Sequence, residues 1–331
     1  MVERCPACSG HVSGRGGTVM RKKDTVIITG ADIAPAALAM LEDYEVVFAG
    51  TKPSEDDLVA LCEQHNPVGI VLRYGKINAR IMDAAPALRV ISKHGSGIDV
   101  IDQTAAAERN ISVQSAPGAN AAAVAEHTWA MILACTKSLI PLDRRMRDGY
   151  WDKSTHKSLE LEGRTLGLVG LGAIGGRVAD IGRVFGMQVI AYDPWAKTLP
   201  AGCEQVDDLA TLYARADIVS LHCPLTAQNS KMINDQALAQ FKPGAVLVNT
   251  ARGGLIDDDA LIRALNSGRL SGAALDSFTV EPLTAPHIWQ KVENVIITPH
   301  IGGVSDNSYV KMGTASVTNL LKVLAQKEAT V

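Results

Sequence analysis

The sequence predicts an α/β protein built from two doubly wound parallel sheets. Three observations carry that expectation. Short apolar runs alternate with helix-like stretches along most of the chain, the pattern of βα units that makes a parallel sheet. One such unit, residues 166–193, holds a glycine-rich turn between an apolar strand and an apolar-periodic helix. The length, 331 residues, exceeds what one core usually organises and implies two domains.

The unit at 166–193 runs Leu166-Gly167-Leu168-Val169-Gly170-Leu171-Gly172-Ala173-Ile174-Gly175, continues as a helix, and closes on Val189-Ile190-Ala191-Tyr192-Asp193. This is the dinucleotide fingerprint in its required setting of strand, turn, helix, strand and acid. Gly170 permits the tight turn, Gly172 lets backbone approach a diphosphate, and Gly175 lets helix and strand pack closely. Ala173 and Ile174 open the helix, whose first turn offers N–H groups and partial positive charge to the phosphates. Asp193 is placed to take ribose hydroxyls and repel a 2′-phosphate, so the cofactor read here is NAD rather than NADP. A bare G-x-G-x-x-G could be an ordinary glycine loop. Both strands, the helix and the acid at the right distance separate the two readings. The larger domain is therefore expected to be a Rossmann NAD-binding domain, and the smaller one a flavodoxin-like substrate domain.

Composition excludes several classes. Hydrophobic residues make up 47%, charged residues 20% and aromatics 4%, a globular composition. A net charge of −3 leaves no nucleic-acid footprint. No apolar run approaches the roughly 20 residues of a membrane span. Six cysteines are scattered through the chain, which reads as a reduced, cytoplasmic protein. Residues 1–23 are polar and Gly-rich without a signal-like apolar stretch, and are expected to be a disordered tail. Cys5 and Cys8 with His11 give three of the four ligands that a structural zinc needs, so no metal site is expected there.

In chain order, strands are expected at 25–29, 46–49, 68–72, 88–92 and 111–113. Helices alternate with them at 33–41, with Pro35 in its first turn, then 54–62, 78–84 and 102–109. Ser54 and Asp57 form a short variant of the capping box. Pro117-Gly118 punctuates. Residues 120–146 then read as one long, Ala-rich helix interrupted by Pro141, passing between domains or into a partner subunit, with Trp129 and Met131 as packing residues. The second sheet is expected from six strands at 165–169, 188–192, 218–222, 245–249, 272–275 and 295–298. Its helices fall at 174–185, 207–213, 235–240 and 258–266, and a last helix at 304–324 returns to the first domain. The expected domains are 24–118 with 303–331 for substrate, and 119–302 for NAD.

Ligands of open α/β sheets sit at strand carboxyl ends, so the residues following each strand are the candidates. They are His222-Cys223-Pro224-Leu225-Thr226, Thr250-Ala251-Arg252, Asp276 with Glu281 beyond it, and Pro299-His300-Ile301-Gly302. An arginine, an acid and a histidine thus converge on one sheet edge. Arg252 can hold a carboxylate in a two-pronged fork and polarise a carbonyl. His300 can exchange the hydroxyl proton, and Glu281 beside it would raise its pKa. Taken singly, each has a bland reading as a loop charge, a core histidine or a turn acid. Together, at the edge of an NAD domain, they suit hydride transfer between NAD and a hydroxyl carbon. His222 is a secondary candidate near the cofactor, and Cys223 lacks an obvious base.

With these residues in view, the chain resembles the D-isomer-specific 2-hydroxyacid dehydrogenase family, in its phosphoglycerate dehydrogenase-like branch. The pieces that carry the resemblance are Lys93-His94-Gly95-Ser96-Gly97-Ile98-Asp99, the fingerprint, the four strand-end segments and Gly272 to Asp276. The resemblance implies Arg252, Glu281 and His300 as the catalytic set. It implies backbone N–H groups of His94, Gly95, Ser96 and Gly97 as a substrate-carboxylate loop, with Arg73 and Lys93 in the pocket. It implies contacts to the cofactor from Gly170, Gly172, Ala173, Ile174, Gly175, Asp193, His222, Cys223, Pro224, Thr226, Thr250, Ala251, Asp276 and Gly302, with Asp276 at the nicotinamide carboxamide. It also implies a homodimer through the NAD-binding domain and an active site in the interdomain cleft.

Two departures narrow the expectation. Glu281 stands where formate dehydrogenases carry glutamine, and Lys93-His94 replaces the Arg-Ala frequent in phosphoglycerate dehydrogenases. The chain stops at Val331 without the regulatory domain of the longer relatives, so serine feedback is not expected. The expected activity is NAD-dependent interconversion of a small polar D-2-hydroxy acid and its 2-keto acid, of glycerate, hydroxypyruvate or phosphoglycerate type. The alternative of another class is an NAD-sensing binding protein like the transcriptional corepressors that resemble the family. Turnover of NADH with 2-keto acids separates the two.

Overall fold

A computed structural model describes residues 23–326. The expected tail and the Cys5, Cys8 and His11 half-site lie outside the described residues.

The first sheet is formed by β1 (Thr25–Ile28), β2 (Glu45–Phe48), β3 (Gly69–Leu72), β4 (Val90–Lys93) and β5 (Ser112–Gln114), all parallel, in the order β2-β1-β3-β4-β5. That is the flavodoxin-like winding. Because successive residues of a strand face opposite layers, each strand feeds two cores. Val26, Ile28, Val71 and Val90 face one layer, while Ile27, Ile70 and Ile91 face the other. The second layer is covered by α2 (Glu55–His65), α3 (Ala79–Asp83) and α4 (Gln103–Glu108). The first is covered by α1 (Pro35–Ala39) and by the last helix of the described chain, whose Val317, Leu320 and Leu324 fill that core.

Sequence signals set most helix ends. Ser54 and Asp57 close a reciprocal capping box, with Asp57 N donating to Ser54 Oγ at 3.1 Å and Ser54 N to Asp57 Oδ2 at 2.9 Å. Asn78 and Asp102 cap α3 and α4 through their side chains. Helix α1 starts at Pro35 rather than at 33, because a residue before proline is pushed out of the helical region: Ala34 has φ −52° and ψ 133°.

The expected single helix at 120–146 is two, α5 (Ala121–Thr136) and α6 (Leu139–Arg147). The break falls at Ser138, with φ 51°, and not at Pro141. A proline ring clashes with the carbonyl four residues earlier, here that of Lys137, so the first helix must stop there and Pro141 sits in the first turn of the second. Helix α5 stays on the second sheet: Trp129 stacks on Phe185 at 4.8 Å and donates to Val178 O at 3.2 Å.

That sheet contains β6 (Thr165–Val169), β7 (Gln188–Tyr192), β8 (Cys203–Gln205), β9 (Ile218–Leu221), β10 (Ala245–Asn249), β11 (Leu270–Leu275) and β12 (Val295–Ile297). All are parallel, in the order β12-β11-β10-β9-β6-β7-β8. It is the Rossmann winding with one more strand than the six expected. The extra strand, β8, is a three-residue edge piece with only Cys203 buried, too short to show a pattern. Helices α5 and α7 (Ala173–Val184) cover one face; α8 (Leu209–Arg215), α9 (Asp235–Gln240) and α10 (Asp258–Asn266) cover the other. Helix α11 (Asp306–Gln326) then returns to the first sheet. Among the described residues no helix is long and apolar enough to cross a membrane.

The docking of α11 is testable. Leu320 is fully buried against the first sheet, and truncating such a side chain costs a transfer and a cavity term, roughly 2–5 kcal/mol. Leu320→Ala should lower the unfolding free energy in urea by that amount. A change below about 1 kcal/mol would show that α11 does not complete this core.

Candidate active site

Each parallel strand of the second sheet delivers its following loop to the same edge, and the cofactor end of the site is built at β6. A Cβ on Gly175 would lie 2.1 Å from Gly170 O, so only glycine lets α7 sit this close to the turn. A Cβ on Gly172 would meet nothing within 4 Å, and no side chain caps α7. Uncapped N–H groups of Ala173 and Ile174 therefore look into open space at a helix N-terminus, which fits a dinucleotide diphosphate. Asp193 follows β7 beside this turn. Its Oδ2 accepts from Leu171 N at 2.7 Å and its Oδ1 from Trp195 N at 2.9 Å, which leaves each oxygen a further acceptor site for a ribose hydroxyl.

The loop after β9 packs its His222–Cys223 backbone against Gly170. His222 turns inward: its Nε2 is 2.9 Å from Ser220 Oγ, and burial pushes its pKa down to about 4, so the ring is neutral at pH 7. Burial pushes the Cys223 thiol up to about 11, which removes it as a nucleophile at neutral pH. Pro224 and Thr226 belong to a turn that Asn229 folds, accepting from Thr226 N at 2.7 Å and donating to Pro224 O at 2.7 Å.

Strand β10 ends on Asn249, which is fully buried. Its side chain accepts from Ala251 N at 3.0 Å and donates to Arg252 O at 2.9 Å, so one amide braces the turn that delivers Arg252. Thr250 is bonded to Thr128 of α5, Oγ1 to Oγ1, at 2.9 Å.

Glu281 and His300 meet after β11 and β12. His300 Nδ1 lies 2.7 Å from Glu281 Oε2, while Glu281 Oε1 accepts from Phe278 N at 2.8 Å. The Glu281 hydrogen bond and charge raise the His300 pKa above the usual imidazole value, against the opposing effect of burial. On Glu281, burial acts upward, but His300 and the Phe278 N–H outweigh it and hold the carboxyl below the usual value.

Asp276, expected at the nicotinamide, spends its carboxylate on the His300 loop. It is 1% exposed. It accepts from Thr298 Oγ1 at 2.5 Å, Ile301 N at 2.9 Å and Gly302 N at 2.8 Å. His127 of α5 completes the cluster, with Nε2 3.1 Å from Thr298 Oγ1 and 3.4 Å from Asp276 Oδ1. The loop wraps this carboxylate tightly enough to hold His300 at φ 53°, a left-handed conformation uncommon for a side-chain-bearing residue.

The first unit contributes the opposite wall. Arg73, after β3, is nearly buried and ion-paired with Asp32, with its guanidinium carbon 5.2 Å from the ring centroids of both Tyr74 and Tyr309. Lys93 donates to Arg73 O at 3.0 Å, and burial together with the Arg252 charge pushes its pKa down to about 8. His94 is tilted against Tyr309 at 5.9 Å, and burial with the Arg73 and Lys93 charges lowers it to about 4. The loop from Gly95 to Gly97 then runs directly against Arg252. From that loop, Asp99 reaches the Arg252 guanidinium: Nη2 donates to Oδ1 at 3.0 Å.

The structure thus brings Arg252, Glu281 and His300 to one edge and Gly95, Ser96 and Gly97 opposite them. Sequence reasoning did not assign Asp99, His127, Asn229 or Asn249. Asp99 closes a quoted motif, and His127 is a polar residue in an otherwise apolar helix. Neither signal names a partner. Among the described residues no cluster of His, Cys, Asp or Glu could hold a metal ion.

Two parallel sheets wound in these orders, with a dinucleotide turn on the larger one, define an α/β fold with a Rossmann dinucleotide-binding sheet. Comparison with known proteins narrows the class. A sequence profile described as D-isomer specific 2-hydroxyacid dehydrogenase, NAD binding domain, matches residues 129–302. The hydroxypyruvate reductase of Thermotoga maritima is 39% identical over 292 residues, 87% of this chain and 94% of that protein. A D-3-phosphoglycerate dehydrogenase of Mycobacterium bovis is 35% identical over 91% of this chain, which spans 57% of that relative's length. Among solved structures, the D-lactate dehydrogenase of Aquifex aeolicus, complexed with NAD and lactic acid, superposes with a TM-score of 0.81 at 30% identity, covering 92% of this chain and 96% of that one. The chain belongs to the D-isomer-specific 2-hydroxyacid dehydrogenase family.

The Glu281–His300 contact predicts a titration. A raised His300 pKa means that the ring keeps its proton to higher pH than an ordinary histidine. Glu281→Gln removes the charge that raises the ring most and leaves burial opposed only by the Asp276 charge, so the His300 ring signal followed by NMR should titrate at lower pH with the fold intact. An unchanged titration would show that Glu281 does not control this proton.

Proposed function

We propose that this chain is an NAD-dependent dehydrogenase that interconverts a small polar D-2-hydroxy acid and its 2-keto acid. The observation that carries the reading is the 2.7 Å His300–Glu281 pair at the same sheet edge as Arg252. In this reading Arg252, Glu281 and His300 are the catalytic residues. Residues 119–302 form the NAD-binding domain, and residues 24–118 with 303–331 the substrate domain.

Bound NADH supplies the hydride that reduces the 2-keto carbon. The remaining work falls to the chain. Arg252 and the N–H groups of the Gly95 to Gly97 loop hold the substrate carboxylate, and the Arg252 charge polarises the keto oxygen. Protonated His300 donates its Nε2 proton to that oxygen, while Nδ1 stays on Glu281. Glu281 fixes the ring and stabilises its charged form. Reduction needs the proton, so it weakens as pH rises through the raised His300 pKa; oxidation needs the neutral ring and weakens as pH falls through it. Asp276, with Thr298 and His127, anchors the loop that presents His300.

The tail pocket favours a neutral substituent. Arg73 has its charge compensated by Asp32 and His94 is neutral, so Lys93 alone of the three offers a charge to a phosphate, and two of its N–H groups are taken by Leu72 O and Arg73 O. Hydroxypyruvate and glyoxylate fit this chemistry better than a phosphorylated acid. Helix α6 and the turn after it leave Leu139, Met146, Tyr150 and Trp151 more than half exposed. That apolar surface on the NAD-binding unit supports the homodimer reading. The four described cysteines are unpaired, in keeping with a cytoplasmic location.

A spectrophotometric panel of hydroxypyruvate, glyoxylate, pyruvate and phosphohydroxypyruvate, run with NADH and with NADPH, tests the proposal. The expected result is turnover with NADH, highest kcat/KM for hydroxypyruvate or glyoxylate, and weak use of NADPH. Arg252→Lys should lose more than tenfold in kcat/KM, about 1.4 kcal/mol of barrier, with NADH affinity retained. Binding of NADH without turnover of any acid in the panel would favour the binding-protein alternative.

A further inference from the structure

We infer that Asp99 is a positioning residue for Arg252, fixing from the substrate-side unit which edge of the guanidinium faces the substrate. The inference rests on the proposed role of Arg252 as the carboxylate fork.

A guanidinium carries five N–H donors in a rigid plane. Asp99 takes the side edge: Nε lies 3.2 Å from Oδ1 and 3.3 Å from Oδ2, and Nη2 lies 3.0 Å from Oδ1. Nη1 donates to Ala251 O at 2.8 Å. Three donors are then used, and the two that remain, one on Nη1 and one on Nη2, stand side by side at the tip of the fork. That pair is the edge that can grip a carboxylate end-on. With Asp99 removed, the side edge would be equally available, and the group could rotate about its long, flexible stem.

A second observation places the loop of the first unit at the Nη2 end of the guanidinium. A Cβ built on Gly97 would lie 1.8 Å from Arg252 Nη2 and 2.9 Å from Asp99 Oδ1. The guanidinium therefore abuts the loop of the first unit, with Gly97 at the Nη2 end and the Asp99 carboxylate along its side. Arg252 hangs from β10 of the second sheet and Asp99 follows β4 of the first, 153 residues apart. The fork is aligned only when the two units stand at this spacing.

The electrostatics agree with a positioning role. Burial pushes the Asp99 carboxyl up, but the Arg252 hydrogen bonds and charge, with Lys93 nearby, bring it below the usual value, so it stays ionised. The Asp99 side chain is 46% exposed and that of Arg252 29%. Ion pairs this exposed add little to stability, so losing this one should change geometry more than folding.

The test uses Asp99→Asn, which keeps the shape and one acceptor oxygen but not the charge-assisted pair, alongside Gly97→Ala, which presses on the same guanidinium. Three quantities are read on each protein: kcat and KM for hydroxypyruvate, NADH affinity by fluorescence, and affinity of the NADH complex for oxamate, a 2-keto acid analogue. Misplacing a reacting group by an ångström can cost ~10²-fold. Both variants should therefore lose at least ~tenfold in kcat/KM and weaken oxamate comparably, with NADH affinity and melting temperature close to wild type. Losses below tenfold in either quantity would overturn the inference. So would tighter oxamate binding, which would make Asp99 a competitor for the fork, or a parallel fall in NADH affinity and melting temperature, which would make it a structural contact. If the wild type reduces no 2-keto acid, the proposed activity fails, and the oxamate measurement still decides whether Asp99 sets the fork.

Discussion

The carboxylate of Asp276 is the interaction on which the rest of the site depends. It is almost completely buried, and a buried charge is tolerated only with partners. The partners it recruits are Thr298 Oγ1 and the backbone N–H groups of Ile301 and Gly302, with His127 beside them. Satisfying that one charge bends the chain after β12 into a loop and lifts His300 into the left-handed region, facing Glu281. Remove the carboxylate, and the loop loses three of its hydrogen bonds, with His127 on Thr298 and Glu281 on His300 left to hold it.

The same logic of strand ends orders the rest. A parallel sheet exposes its loops at one edge, so β6, β9, β10, β11 and β12 deliver the dinucleotide turn, the Cys223 loop, Arg252, Asp276 and His300 side by side. Asn249 does for Arg252 what Asp276 does for His300, bracing the turn through both its amide groups. Helix α5, buried behind this sheet, reaches both turns: Thr128 bonds Thr250, and His127 bonds Thr298. The second sheet is thus a prepared half-site. The first sheet supplies the facing wall from the ends of β3 and β4, with Asp32 paired to Arg73 and a neutral His94 beside Lys93.

Much of this was legible in the sequence where the signal is local. The glycine turn, its two strands and Asp193 lie within one unit, and the close packing expected of Gly175 is seen in the 2.1 Å that would separate a Cβ there from Gly170 O. The capping box at Ser54 and Asp57 needed four residues to read. Arg252, Glu281 and His300 could be singled out because each follows an apolar strand. What escaped was non-local. The pairing of Arg73 with Asp32 spans 41 residues, and that of His127 with Thr298 spans 171; no period or motif joins such positions. Strand β8 escaped because three residues with one buried side chain give no alternation. The break at Ser138 escaped because the proline that enforces it acts one turn upstream of itself.

In the proposed reaction Arg252 and His300 act on one small acid between the two sheets. A crystal structure of the protein with NADH and oxamate tests it most directly. The expected result is the oxamate carboxylate on the outer N–H pair of Arg252 and its carbonyl oxygen within hydrogen-bond reach of His300 Nε2, about 2.6–3.2 Å. Oxamate bound elsewhere, or bound with His300 turned away from Glu281 and out of reach, would contradict it.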